Sequence, residues 1–379
     1  MDNQQRKTEL IEHLKLLPGL DEATYRRVLN ELDQGDDRAG LDEQGRLRVT
    51  FFDAKPRDMG SFDSANDGRY SLHYVRAALN VDTAYAAQGS KVACLFVNDT
   101  CDAAVVDKLA DFGVELLALR CAGFNNVDLE ACQRRGMSVV RVPAYSPYAV
   151  AEFTVALMMM LNRRLHHAYI RNRSGNFQLE GLTGFDMHGK TVGVVGTGKI
   201  GQCVIDILLG FGCHILAYDK YPNNEIAELA DVEYTGLEPL LRRSDIITLH
   251  VPLFLETYHV INRAAIDRMK DGVMLINTSR GGLVDTKALI DALKVGKVGA
   301  AGLDVYEEEA GIFFHDMSDK VLTDDVLARL MTFNNVVVTS HQAFLTREAL
   351  ANIAETTLDS VREFADGKRG GEMTYAVNM

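Results

Sequence analysis

The chain has 379 residues, 47% of them hydrophobic and 25% charged, the composition of a water-soluble globular protein with room for about two to three domains. Fifty-three acidic residues against 40 basic ones give a net charge of −13. That charge repels phosphate backbones and anionic lipid, so neither a nucleic acid nor a membrane is expected as a partner. The apolar run at 155–161 is far shorter than the roughly 20 residues of a spanning helix. The first residues lack the apolar core of a secretory signal, and residues 1–46 carry 11 acids against 7 bases, unlike an acid-poor transit peptide; a cytoplasmic location is expected. Six cysteines (Cys94, Cys101, Cys121, Cys132, Cys203, Cys213) form no CxxC pair and sit in hydrophobic patterns, as reduced buried thiols do. No clustering of His and Cys suggests a metal site.

In chain order, residues 1–46 form a charged extension with two helical patterns, one around Leu10, Ile11, Leu14 and Leu17, the other around Tyr25, Val28, Leu29 and Leu32. Residues 35–45 read as a linker. Short apolar runs then alternate with helical patterns: RVTFFDA (48–54), KVACLFVND (91–99), VELLALRCAG (114–123) and MSVVRVPAY (137–145). Such alternation predicts a parallel sheet. A long helix follows, capped by Ser146, with Pro147 at its first position and Val150, Phe153, Leu157 and Leu161 on one face. Past a polar stretch at 172–189 comes a second strand series: TVGVVG (191–196), HILAYD (214–219), DIITLHVP (245–252), VMLINTS (273–279), VGAAGLDVY (298–306) and NVVVTS (335–340). A last helix carries Leu350, Ile353, Val361 and Phe364 on one side and stops at Gly367. No strand follows it, so it is expected to pack on the first unit, making that unit discontinuous.

Gly196, Gly198 and Gly201 form a GxGxxG that follows one strand pattern and opens a helical one. The first glycine permits a tight turn, the second a close approach to a pyrophosphate, and the third close helix–strand packing, with the anion at the helix N-terminus. Lys199 and Ile200 lie on that turn. Asp219 ends the next strand 23 residues after Gly196, where a carboxylate accepts from adenosine ribose hydroxyls and repels a 2′-phosphate, favouring NAD over NADP.

Ligands of open α/β sheets bind beyond the carboxyl ends of strands. Three titratable groups fall at such ends: Arg280 after VMLINTS, Glu309 just past GLDVY, and His341 after NVVVTS. Arg280 can grip a carboxylate bidentately and polarise a neighbouring carbonyl. His341 is suited to give and take a proton, and Glu309 to hold its ring and favour the charged form. Singly, each has a bland alternative: a turn arginine, one acid of the solvated run EEE, a packed strand-end histidine. Their shared setting below a dinucleotide fingerprint favours reduction of a 2-keto acid. Among the other nine histidines only His250 also ends a strand, and it reads as a cofactor wall or a structural residue.

The segments LRCAGFNNVDL (119–129), VPAYSPYAVAE (142–152), GKTVGVVGTGKIGQ (189–202), INTSRGGLVD (276–285), GLDVYEEE (302–309) and TSHQAFLT (339–346) together resemble the D-2-hydroxyacid dehydrogenase family, over about residues 47–379. The resemblance implies that Arg280, Glu309 and His341 are its catalytic Arg, Glu and His, with Glu309 singled out as five residues beyond Asp304. It implies that the amides of Ala122 and Gly123 hold the substrate carboxylate, with Tyr145 and Phe344 lining a small pocket. Around NAD it places Lys199, Ile200, Asp219, Val251, Pro252, Thr257, Thr278, Ser279 and Asp304, the last facing the nicotinamide carboxamide. Thr257 and Phe153 depart from residues common in relatives, and residues 1–46 have no counterpart.

The fold expected is therefore α/β with two parallel-sheet domains. A Rossmann NAD-binding domain spans 146–341, and a discontinuous flavodoxin-like substrate domain spans 47–145 and 342–379, after a helical N-terminal extension at 1–46. The site is expected in the cleft between them, and the partner is a small 2-keto or 2-hydroxy acid. The expected reaction is reversible hydride transfer between NADH and pyruvate, giving D-lactate. A larger 2-keto acid, or an NAD-sensing regulatory role on the same fold, stands as the alternative. A homodimer or higher homo-oligomer built largely by the Rossmann domain is also implied.

Overall fold

The structure, a computed structural model, describes residues 40–377 apart from Ala310; the two helical patterns expected within 1–39 lie outside the described residues. The chain divides into two compact units, one running to Pro143 and resuming at Leu350, the other Ala144–Ala349. The second unit thus takes Ala144, Tyr145 and residues 342–349, which were expected in the first. Hydrogen bonds from the amides of Gln342 and Ala343 to the Asp304 carboxylate tie that segment to the second unit.

The first unit has a five-stranded sheet of β1 (Arg48–Phe51), β2 (Ser71–Tyr74), β3 (Val92–Leu95), β4 (Leu116–Leu119) and β5 (Ser138–Arg141). Its order is β2-β1-β3-β4-β5 and every pairing is parallel, the flavodoxin-like arrangement. β3 and β4 are buried at all positions because helices cover both faces, which is why they read as unbroken apolar runs. One side packs Ala93, Leu95, Leu117 and Val139 against Val105, Val106 and Leu109 of the helix Ala103–Asp111. β2 was not expected: SLHY is a short, partly exposed edge strand with no apolar run.

The second unit has seven parallel strands: β6 (Thr191–Val195), β7 (His214–Tyr218), β8 (Val232–Tyr234), β9 (Ile246–Leu249), β10 (Val273–Asn277), β11 (Val298–Leu303) and β12 (Val336–Val338). Their order is β12-β11-β10-β9-β6-β7-β8. The sequence runs outward in both directions from β6, the Rossmann arrangement, with its topological switch between β6 and β9. Alternate residues serve opposite faces. Val192, Val194, Ile246, Met274 and Ile276 pack with Val155, Leu157 and Leu161 of the helix Pro147–Asn162, which Ser146 caps. Val195, Ile247, Leu249 and Leu275 pack with Leu240, Leu289 and Leu293 on the other side. β8 was also not expected, being three partly exposed edge residues.

All six cysteines are free thiols and five are buried, with burial pushing Cys94 up to about 12. Among the described residues no helix is long and apolar enough to cross a membrane.

Gly193, in the centre of β6, lies against the helix Leu237–Arg243 so closely that an added Cβ would stand 2.4 Å from Leu240 Cδ2 and 2.5 Å from Ser244 Oγ. Gly193→Ala should therefore destabilise the protein by about 1–3 kcal/mol, read as a lower unfolding midpoint. An unchanged midpoint would mean that this packing is looser than the contacts state.

Candidate active site

β6 runs into the glycine turn at the switch point. Gly196 has φ +100°, and a Cβ there would stand 2.6 Å from the His250 carbonyl carbon and 2.7 Å from Val251 N. A Cβ on Gly201 would stand 2.0 Å from the Gly196 carbonyl oxygen, whereas one on Gly198 would meet nothing within 4 Å. The first and third glycines thus let backbone cross backbone, and the second leaves open space. That space adjoins the N-terminus of the 12-residue helix Lys199–Gly210, whose N-cap, Gly198, supplies no side-chain acceptor. Its first N–H groups are free to receive an anion. At the end of β7, Asp219 Oδ2 accepts from Thr197 N (2.7 Å) and Thr197 Oγ1 (3.2 Å), and Oδ1 accepts from Tyr221 N (2.9 Å). An open cradle for a diphosphate and a fixed carboxylate one strand away fit the two ends of an adenosine diphosphate.

The adjacent strands β10, β11 and β12 present the three candidate groups. Asp304, immediately after β11, is 0% exposed. Its carboxylate accepts from Thr339 Oγ1 (2.5 Å), Gln342 N (2.9 Å) and Ala343 N (2.9 Å), and its carbonyl accepts from His341 N (2.7 Å). These bonds hold His341 in the left-handed region at φ +52°. The His341 ring places Nδ1 2.8 Å from Glu309 Oε1, while Glu309 Oε2 accepts from Tyr306 N at 3.1 Å. A carboxylate acceptor fixes the proton on Nδ1 and leaves Nε2 for a substrate. Phe314, itself at φ +67°, lies beside the imidazole with centroids 5.9 Å apart.

Arg280 follows β10 on a turn clamped by one side chain: Asn277 Nδ2 donates to the Arg280 carbonyl (2.8 Å), and Asn277 Oδ1 accepts from Ser279 N (3.1 Å). At Gly281 a Cβ would stand 2.0 Å from the Tyr306 carbonyl carbon. The turn that carries Arg280 is therefore pressed onto the segment that carries Glu309.

Arg280 and His341 share a cavity of about 60 Å³ with Tyr145, Val150, Ile200, His250, Thr278, Ser279, Asp304, Ala343 and Phe344. Tyr145 and Phe344 meet edge to face, centroids 5.9 Å apart and planes at 70°. Of the two histidines, His250 bonds Thr248 Oγ1 through Nε2 (2.9 Å), and burial pushes its pKa down to about 3. It therefore stays neutral at physiological pH and forms a wall of the cavity.

Several residues expected around the cofactor also have partners within the protein. Asp304 turns its carboxylate onto the His341 loop. Thr154 Oγ1 donates its only proton to the Val150 carbonyl (2.7 Å), so Thr278 donates to Thr154 across their 2.7 Å contact. Ser279 Oγ donates to the Val251 carbonyl (2.7 Å), and Thr257 Oγ1 to the Pro252 carbonyl (2.7 Å). These hydroxyls shape the walls with their protons already engaged. Ala122 and Gly123 lie in the first unit on the loop after β4, and among the described residues their N–H groups have no acceptor.

Sequence reasoning missed a second histidine–glutamate pair. His259 Nε2 stands 2.6 Å from Glu307 Oε1, and Glu307 Oε2 accepts from Thr286 N (2.9 Å) at the start of the helix Thr286–Lys294. No spacing or periodicity marks His259, which sits in a loop at φ +49°.

Residues 155–343 match the family described as "D-isomer specific 2-hydroxyacid dehydrogenase, NAD binding domain". A 2-hydroxyacid dehydrogenase homolog of Haemophilus influenzae is 51% identical over 85% of this chain and 97% of its own. The D-lactate dehydrogenase of Escherichia coli is 49% identical over 85% and 98%. The solved structure titled as the pyruvate reductase of Chlamydomonas reinhardtii superposes with a TM-score of 0.82 at 45% identity, covering 88% of this chain and 99% of that one. With identities near one half across almost the full length of these relatives, the chain belongs to the D-isomer specific 2-hydroxyacid dehydrogenase family, and its second unit holds the NAD-binding domain.

Proposed function

We propose that the protein is an NAD-dependent D-lactate dehydrogenase that interconverts pyruvate and D-lactate. What supports this most is the His341 Nδ1–Glu309 contact of 2.8 Å at a cavity that Arg280 shares. The relatives named for D-lactate and pyruvate chemistry give the substrate class. NADH, held at the glycine turn with its adenosine ribose at Asp219, would supply a hydride for the substrate's carbonyl carbon. Arg280 grips the keto-acid carboxylate and draws charge from the adjoining carbonyl. His341 Nε2 delivers the proton to the carbonyl oxygen, so pyruvate, NADH and one proton become D-lactate and NAD. Glu309 keeps the ring oriented through Nδ1 in both directions. The edge-to-face pair Tyr145–Phe344 walls the cavity and favours the methyl group of pyruvate over branched or aromatic side chains.

We further propose a homo-oligomer joined through the second unit. Along the helix Leu165–Arg173 and the stretch after it, Tyr169, Ile170, Phe177 and Leu179 are exposed, the last two at 74% and 78%. A second copy would cover these apolar groups. Six free thiols suit a reducing compartment, which supports the cytoplasm.

NADH oxidation with pyruvate, followed by chiral separation, should give D-lactate, and His341→Gln should lower kcat/KM about 10²- to 10⁴-fold. L-lactate, or faster turnover of a branched 2-keto acid than of pyruvate, would set the assignment aside. In sedimentation, the double substitution Phe177→Ser with Leu179→Ser should bring the protein to the mass of a single chain, and an unchanged mass would place the interface elsewhere.

A further inference from the structure

Asp219 is the last member of a chain of hydrogen bonds that starts at the Asn223 amide in its own loop and passes through the end of β8 and the glycine turn. Tyr234, the final residue of the edge strand β8, donates its hydroxyl proton to Thr197 Oγ1 at 2.8 Å and accepts from the Asn223 N–H at 3.1 Å. Thr197 Oγ1 donates onward to Asp219 Oδ2 at 3.2 Å, and the Thr197 N–H reaches the same oxygen at 2.7 Å. Each hydroxyl has one proton, so the direction is set: Asn223 amide, Tyr234 hydroxyl, Thr197 hydroxyl, Asp219 carboxylate. Hydrogen bonds aligned in one sense polarise one another and strengthen each link. Thr197 is 3% exposed, which shelters the middle of the chain from competing water.

The chain decides which oxygen Asp219 offers. Oδ2 is filled by two donors from Thr197, and Oδ1, with one donor from Tyr221 N at 2.9 Å, keeps acceptor capacity for a ribose hydroxyl. We propose that Tyr234 is a positioning residue for cofactor selectivity, acting through Thr197 to hold the Asp219 carboxylate at the adenosine ribose site. The inference rests on the NAD-binding reading of the second unit. A carboxylate held by three donors is already oriented to accept from a ribose hydroxyl. It also cannot swing aside to admit a 2′-phosphate, so the charge repulsion that disfavours NADPH is kept in place. The Tyr234 ring packs against the cluster around Ile226 and Ile215, and that packing survives removal of the hydroxyl. Orientation and packing can therefore be separated by substitution.

Calorimetric titration of NADH and of NADPH into the full-length protein, with unfolding midpoints measured alongside, tests this. Tyr234→Phe and Thr197→Val should each raise the Kd for NADH about five- to tenfold and leave the Kd for NADPH unchanged or lower, so that the selectivity ratio falls by about the same factor. Thr197→Ser, which keeps the hydroxyl, should bind NADH as the wild type does. The double variant should be no worse than either single one, because both break the same chain. Equal weakening of both cofactors, an unchanged NADH Kd, or a Thr197→Ser variant as impaired as Thr197→Val would overturn the proposal. Failure of the wild type to bind NADH would overturn the NAD reading with it, whereas tight wild-type binding with an unaltered ratio in the variants overturns the relay alone.

Discussion

A carboxylate shut away from water must find its donors within the protein, and Asp304 finds them in the loop after β12. Three donors converge on its two oxygens and a fourth on its carbonyl. Bonds to a charged acceptor contribute about 1.5–3 kcal/mol each, against about 1–3 kcal/mol for a non-glycine residue in the left-handed region. The grip therefore exceeds the strain at His341, and the imidazole stays where Glu309 can meet Nδ1. The rest of the site leans on the same core. The Glu309 segment leaves β11 just beyond Asp304, and the Arg280 turn is pressed against it at Gly281.

Parallel topology explains how residues far apart in sequence come together. Arg280, Glu309 and His341 are separated by 29 and 32 residues, yet they leave the carboxyl ends of β10, β11 and β12, which are neighbours in the sheet. Strands in a sheet stand about 4.8 Å apart, so three loops at one edge converge without any long excursion. The glycine turn after β6 sits on the other side of β9, at the switch point, where two loops diverge and leave space for a ligand.

The sequence shows most plainly what repeats. Strands that carry an apolar run were legible, ten of the twelve strands among the described residues. β2 and β8 were not, because SLHY and VEY are short, partly exposed edge strands without an apolar run, unlike the edge strand β12 with its three valines. The run EEE at 307–309 looks like a solvated patch, but only Glu308 is exposed; Glu307 and Glu309 face inward to His259 and His341. Glycine positions were readable because they reflect backbone constraints local to the turn. The partners of Asp304, Thr278, Ser279 and Thr257 were not, because a hydroxyl or carboxylate chooses among donors brought near only by tertiary folding, and nothing in the spacing along the chain encodes that choice.

The most direct test concerns Asp304, whose carboxylate holds the His341 loop and also lines the cavity, because loss of the loop and loss of a cofactor contact are read separately in kcat and in NADH affinity. NADH affinity by calorimetry and kcat with pyruvate would be measured for Asp304→Asn, in which an amide faces the loop's donors. If Asp304 holds the loop, NADH should bind within a few-fold of the wild type while kcat falls about 10²-fold or more, because His341, the proposed proton donor, is misplaced. NADH binding weakened by a comparable factor, with kcat retained at saturating cofactor, would contradict the account.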